Sequence, residues 1–420
     1  MNSILEKANY CASCVTKPCQ VGCPFNNDIT SFIKDIKSED YEHAYRVLCQ
    51  TTVLPAICGR VCPYDKQCQG ACVKKVSYDA VRIGELEAFI GDLSIKNNWS
   101  IVRKDYPKRC EKVAIVGGGP AGLVCAAFLA INGISPVVYE KHNYLGGILY
   151  HGIPDFRLPK DILKKTIDKI LDLGVEVKLN QELGRDITLD YLEKEYDAVF
   201  LGIGGNISLK MHIPGEDLSG VYGGNEILEN NSHPDYHGKT VVVSGGGNVA
   251  MDVSRTIKRL GAEHVYVIYR RGEKEMPATK EEIADAKKDG VEFLFQHNIL
   301  KIDGVTKVKG VEVIKTDLIQ KEGESRLSPV NIEGSNYHIP CDYVMMAIGS
   351  MVEESVVSGL GLERTPRGKV KIDQDGRTSR ENIFAGGDLT NTPGTVAFAG
   401  RSGRDAAYAI IEYLDKKNGN

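Results

Sequence analysis

The chain has 420 residues, 42% of them hydrophobic and 26% charged, with a formal net charge of −4. That composition excludes intrinsic disorder as the overall state, and the charge offers nothing global for nucleic acid or an anionic membrane. No apolar run reaches the ~18–20 residues that span a bilayer, and the start Met1-Asn2-Ser3-Ile4-Leu5-Glu6-Lys7 carries no signal-peptide pattern, so a reducing, cytoplasmic location is expected.

Nine of the 12 cysteines lie in the first 72 residues, in two runs. The first is Cys11-x2-Cys14-x4-Cys19-x3-Cys23-Pro24, the second Cys58-x3-Cys62-Pro63-x4-Cys68-x3-Cys72, and Cys49 stands apart. In a reducing compartment such runs point to metal rather than disulfides. Structural zinc favours C-x2-C pairs separated by a longer spacer. The compressed runs beside Cys-Pro are nearer the ferredoxin style, although the middle spacing differs. The apolar neighbours Ile29, Phe32, Ile33, Val53, Leu54 and Ile57 also suit electron transfer. Eight cysteines in two groups predict two [4Fe–4S] clusters, and the spacing does not say which cysteine binds which. A zinc-stabilised nucleotide sensor is the non-enzymatic alternative.

The rest is rich in glycine and contains a repeat. Val113–Lys141 and Val241–Arg271 each read as a β-branched strand, a glycine turn, an apolar-periodic helix and a second strand. That is a βαβ unit with a dinucleotide fingerprint. The first copy carries Gly117, Gly119 and Gly122; the second carries Gly245 and Gly247, with Ala250 in third place. The first glycine allows the turn, the second lets the backbone approach a pyrophosphate at the helix N-terminus, and the third allows close packing.

The second strands end differently. Glu140 can accept from the ribose hydroxyls of an adenosine, whereas Arg270-Arg271 can pair with a 2′-phosphate. FAD is therefore expected at the first site and NADPH at the second. The stretch Lys301–Tyr337 reads as a charged hairpin. Near the C-terminus a strand ends at Gly387-Asp388, and a helix is expected from about Gly394, with Ala397, Ala399 and Gly400 for close packing. Asp388 is placed to bind a ribityl chain, and the helix start to face the flavin O2 edge. Cys110, Cys125 and Cys341 are single and far apart, so no redox Cys-x-x-Cys accompanies the flavin; Cys125 and Cys341 are expected in the core.

From about Cys11 to Ile411 the chain resembles the iron–sulfur flavoprotein family of the NADPH-dependent glutamate synthase small (beta) subunit. The same module is similar to the N-terminal half of dihydropyrimidine dehydrogenase and to the large subunit of the bifurcating NADH-dependent ferredoxin:NADP oxidoreductase. The matching stretches include LPAICGRVCPYDKQCQGAC (Leu54–Cys72), GGILYHGIPDFRLPK (Gly146–Lys160), GGGNVAMDVSR (Gly245–Arg255) and IFAGGD (Ile383–Asp388). The resemblance implies an α/β fold with two Rossmann-like domains preceded by an α-helical iron–sulfur domain. The implied divisions are 1–102 for the clusters, 103–232 with 350–420 for FAD, and 233–349 for NADPH.

The resemblance also implies site residues. One cluster would take Cys11, Cys14, Cys19 and Cys72; the other would take Cys23, Cys62, Cys68 and Glu87, leaving Cys58 unligated. Glu87 as a surface acid on a helix is the plainer alternative. FAD would meet Gly117, Gly119, Ala121, Gly122, Glu140, Gly147, Arg157, Leu183, Gly387, Asp388, Thr395 and Val396. NADPH would meet Gly247, Asn248, Val249, Arg270, Arg271 and Lys274, with Ala347, Ile348 and Gly349 near the nicotinamide.

Hydride transfer from nicotinamide to flavin needs stacking and orientation rather than an acid or base, so no catalytic side chain is expected. The chain carries no segment resembling a β/α barrel with an FMN site and no amidotransferase region. It therefore reads as an electron-input subunit that needs a catalytic or second electron-transfer partner, glutamate-synthase-like. The alternatives are an electron subunit of a pyrimidine dehydrogenase and a bifurcating transhydrogenase subunit.

Overall fold

The structure is a computed structural model that describes residues 2–101, 108–230, 233–321 and 326–419. The first hundred residues are helical. Helix α1 (Ile29–Lys37) opens at Asp28, whose side chain accepts from the Ser31 N–H, and α2 (Tyr41–Cys49) opens in the same way at Asp40. Helix α3 (Pro55–Val61) starts with proline at its first position, where the missing N–H costs nothing. It lies along α4 (Ile83–Lys96), and glycines line the seam. A Cβ at Gly59 would sit 2.3 Å from the Ala88 nitrogen, and one at Gly91 2.3 Å from the Ala56 nitrogen. Only glycine permits this approach, and it presses the cysteine-bearing face of the head against Glu87.

Next, β1 (Lys112–Val116), α5 (Pro120–Ile131) and β2 (Ser135–Glu140) form a βαβ unit, followed by α6 (Lys160–Leu171), β3 (Glu176–Leu179) and β4 (Ala198–Leu201). A second such unit is built from β5 (Val221–Gly223), β6 (Thr240–Ser244), α7 (Asn248–Arg259), β7 (His264–Tyr269), α8 (Lys280–Lys288) and β8 (Glu292–Phe295). Then come β9 (His297–Gly304), β10 (Val308–Ile319), β11 (Ser328–Asn331), β12 (Tyr337–Pro340) and β13 (Tyr343–Met346). The chain closes with β14 (Ile383–Ala385) and α9 (Val396–Lys417).

Two five-stranded parallel sheets result, in the orders β14-β4-β1-β2-β3 and β5-β13-β6-β7-β8. The middles of their central strands are apolar because helices cover both faces: Ile115 lies opposite Val138 and Phe200, and all three are fully buried. The hairpin expected within Lys301–Tyr337 is part of an antiparallel sheet in which β10 pairs with β9, β11 and β12. Residues 322–325 of that stretch lie outside the described ones.

The chain forms two compact units: Met1–Tyr150 with Asp155–Gly205 and Val352–Asn420, and His151–Pro154 with Asn206–Met351. The divisions read from the sequence at 102–103 and 232 fall on residues outside the described ones; the second unit takes in 206–230 as well. Within the first unit the helical head docks on α9. A Cβ at Gly400 would lie 2.5 Å from the Phe25 ring, and Arg404 donates to the carbonyls of Phe25 (2.7 Å) and Thr51 (3.0 Å). Cys125 and Cys341 are core residues, 0% and 5% exposed. Among the described residues no helix is long and apolar enough to cross a membrane.

Candidate cofactor sites

In the first unit β1 runs into Gly117, whose φ of +103° only glycine adopts without strain; a Cβ there would also lie 2.4 Å from the Gly202 oxygen. At Gly122 a Cβ would sit 1.9 Å from the Gly117 oxygen, so the third glycine packs helix onto turn. Gly119 differs. It caps α5, and a Cβ there would meet only Gly147, 4.0 Å away, which leaves room for a ligand at the helix N-terminus beside Ala121. Glu140 ends β2, is 5% exposed, and accepts from the Gly118 N–H (2.8 Å) and the His142 N–H (2.9 Å). Its carboxylate is thus fixed beside the glycine turn with acceptor capacity left for a ribose.

Gly387 turns the chain after β14, its N–H donating to the Ser402 hydroxyl at 2.8 Å. Burial pushes the carboxyl of the next residue, Asp388, above its ordinary range, and Lys369 opposes that rise. Thr395 caps α9 by accepting from the Phe398 N–H, so the helix begins at Val396, two residues beyond Gly394. A Cβ at Gly403 would lie 2.0 Å from the Ala121 oxygen; this contact, absent from the sequence reading, brings α9 onto α5 at the site. Its only sequence signal is a small residue three positions after Gly400. Leu183 is buried beside Ile187, and Arg157 is half-buried.

In the second unit Gly245 repeats the positive φ, at +143°, and a Cβ there would lie 2.2 Å from the Ala347 oxygen. Gly247, the cap of α7, has nothing within 4 Å of its would-be Cβ. Val249 is the second residue of α7, and Asn248 Oδ1 accepts from the Thr279 N–H at 3.2 Å. The two arginines have different surroundings. Arg271 Nε donates to the Leu327 carbonyl at 2.8 Å, whereas the Arg270 side chain is exposed. Lys274 is exposed in the turn Glu273–Glu275. Ala347 is tied to β6 through the Ser244 carbonyl (2.8 Å), Ile348 is 42% exposed, and Gly349 has φ +140°.

In the head, one cavity is lined by Cys11, Cys14, Cys19 and Cys72, with Ile29, Ile33, Val81 and Ile83 around them. Cysteines from both sequence runs therefore share a site. Burial pushes the Cys19 thiol up to about 11, and Cys11 and Cys72 add to the rise. Burial likewise pushes Cys23 up to about 12, with Glu87 and Cys62 close enough to contribute. Cys68 is raised by burial, then by Glu87, Cys23 and Cys62. Cys23, Cys62 and Cys68 thus lie around Glu87, which is 6% exposed and not a surface acid. Burial lifts its carboxyl to about 8 against a single hydrogen bond from Asn27. Cys58 is buried one helical turn before Cys62, whose thiol donates a hydrogen bond to it. Buried thiols crowded around one another and a buried carboxylate are costly to ionise without a cation among them, and this donor set fits iron–sulfur ligation.

A profile described as pyridine nucleotide-disulphide oxidoreductase matches residues 111–403. One described as dihydropyrimidine dehydrogenase domain II, 4Fe-4S cluster, matches residues 1–99. The glutamate synthase [NADPH] small chain of Escherichia coli (strain K12) is 36% identical, covering 97% of this chain and 91% of its own. The NADP(+)-dependent formate dehydrogenase subunit beta of Moorella thermoacetica is 35% identical over 95% of this chain but 60% of its own. Among solved structures, FprA from Mycobacterium tuberculosis superposes with a TM-score of 0.65 at 22% identity, covering 74% of this chain and 86% of that one; the likeness shows the fold of the body.

Proposed function

The chain belongs to the glutamate synthase small-chain family of NAD(P)H-dependent iron–sulfur oxidoreductases, and from that premise we propose that it is the cytoplasmic, NADPH-oxidising arm of a larger enzyme. Bound FAD would turn the hydride of NADPH into single electrons, and two [4Fe–4S] clusters would carry these to a partner subunit. The chain's own residues prepare that path. Gly117, Gly119 and Glu140 hold the flavin's pyrophosphate and ribose, and the start of α9 at Thr395 and Val396 offers N–H groups toward the flavin. Gly247 and Arg270 hold the NADPH diphosphate and 2′-phosphate. Cys11, Cys14, Cys19 and Cys72 hold one cluster, and Cys23, Cys62, Cys68 and Glu87 the other.

The observation that carries this reading is the joining of Cys72 to Cys11, Cys14 and Cys19 around one cavity, with Glu87 among the remaining cysteines. The test is anaerobic purification from the native cell, with mass spectrometry of what co-purifies and electron paramagnetic resonance after adding NADPH. A co-purifying catalytic subunit and two NADPH-reducible iron–sulfur signals are expected. A colourless, iron-free chain would overturn the reading.

A further inference from the structure

Eighteen large hydrophobic side chains are exposed among the described residues, and six of them fall in two short segments: Tyr10, Val15, Val21, Val73, Val76 and Tyr78. Val15, Val21 and Val76 are 97%, 81% and 87% exposed. A helical head with a well-filled core has no folding reason to show so many apolar side chains together, and such patches mark contact surfaces. The two segments border one feature, the cavity of Cys11, Cys14, Cys19 and Cys72, whose wall includes Val73 and Lys74. They also touch: Tyr10 donates to the Asp79 carbonyl at 3.1 Å, and Lys74 Nζ lies 4.0 Å from the centre of the Tyr10 ring.

The charge on this face is mainly basic, with the exposed Asp79 the acid among the lysines. Lys37 donates to the Cys11 carbonyl at 2.8 Å, Lys74 covers Tyr10, and Lys75 is exposed beside it. Lys17 is paired with Asp28 at 2.8 Å. The chain as a whole carries −4, so this rim opposes the net charge.

We propose that the face around Cys11, Cys14, Cys19 and Cys72 is the electron-exit surface, and that it docks an acidic protein carrying a one-electron redox centre. This rests on the reading of the head as an electron relay. Apolar side chains around the cavity exclude water along the short path from its sulfurs, while the lysines steer the partner and set its orientation. Electrons leave one at a time, the partner's centre being reduced as the cluster is oxidised, with no proton or bond exchanged.

The test uses one redox centre in two charge forms: native cytochrome c, which is basic, and the same protein with its lysines succinylated, which is acidic. With NADPH and without oxygen, the acidic form is expected to be reduced about tenfold faster at low salt, the advantage shrinking as salt is added. Lys75→Glu, a change outside the cavity wall, should remove most of that advantage while iron content and reduction of benzoquinone, an uncharged acceptor, stay unchanged. Carbodiimide cross-links to the acidic form, mapped by mass spectrometry, should fall on Lys37, Lys74 and Lys75. Equal or faster reduction of the native form, with an NADPH-reducible iron–sulfur signal present, would overturn the surface alone. Cross-links elsewhere would do the same. If benzoquinone is reduced but NADPH leaves the iron–sulfur signal unreduced, the relay reading falls and takes the surface with it.

Discussion

Asn27 donates its side-chain amide to Glu87 Oε1 at 3.2 Å, and Thr51 donates its hydroxyl to Asn27 Oδ1 at 2.6 Å. Asn27 and Glu87 are 1% and 6% exposed, so a buried carboxylate is aimed by a buried amide that is itself aimed by a hydroxyl. Outer partners of this kind fix the direction of a metal ligand. Glu87→Ala should lose the iron–sulfur signal of one cluster and about half of the iron, whereas Cys58→Ala should keep both. Iron analysis and electron paramagnetic resonance check this. Retention of both signals in Glu87→Ala would remove that residue from the ligand set.

The glycines divide into two kinds, with opposite outcomes on substitution. Gly122→Ala drives a Cβ to 1.9 Å from backbone and should cost more than ~3 kcal/mol, read as a lowered urea midpoint. Gly119→Ala and Gly247→Ala meet nothing closer than 4.0 Å, so the fold should stay intact. They should instead weaken FAD and NADPH by at least ~1.4 kcal/mol, a factor of about ten, because the added methyl stands where the diphosphate approaches. Equilibrium dialysis of the cofactors separates the two classes.

Arg270 and Arg271 should also separate. The exposed Arg270 is available to a 2′-phosphate, while Arg271 is spent on the Leu327 carbonyl. Arg270→Ala is expected to raise KM for NADPH about 10- to 100-fold, the worth of a charge-assisted hydrogen bond, and to leave KM for NADH unchanged. Arg271→Ala should lower stability more than it changes the ratio between the two nucleotides. Equal kcat/KM for NADPH and NADH in the unaltered protein would overturn the NADPH assignment.

Arg255, 5% exposed, bridges α7 and α8 by pairing with Glu282 at 2.9 Å and Asp289 at 2.9 Å. Arg255→Ala takes a paired cation away from buried Glu282 and from Asp289 and should cost about 3–5 kcal/mol by urea unfolding. At Asp289 burial alone would raise the carboxyl, but hydrogen bonds from Arg259 and Arg255 outweigh it and hold the group below its ordinary range. A lowered acid stabilises the fold above its unfolded value and stops doing so as pH falls through the lowered one. The gap in stability between the unaltered protein and Asp289→Asn should therefore be full at neutral pH and close below about pH 4. A gap that stayed constant into acid would contradict the pairing.

Both dinucleotide fingerprints were legible because they are local: a strand, a turn and a helix cap lie within a dozen residues. The head was less so. The cysteine runs were plain, but the grouping of Cys72 with Cys11, Cys14 and Cys19 depends on how the chain folds back, and spacing carries no record of that. Glu87 was reachable only through resemblance, since its burial follows from the Gly59 and Gly91 seam rather than from its neighbours in sequence. The structural duty of Arg271 was hidden because its partner, Leu327, comes 56 positions later in the chain.

Helix α9 has one more consequence. Arg404 closes hydrogen bonds to the carbonyls of Phe25 and Thr51, contacts that join positions 379 and 353 residues apart. During synthesis the cysteine head leaves the ribosome long before the surface that receives it exists. It must wait, its docking face uncovered, until α9 is made. A truncation that removes α9 would therefore leave the cysteine head without the surface it docks on, although 353 residues separate Thr51 from Arg404.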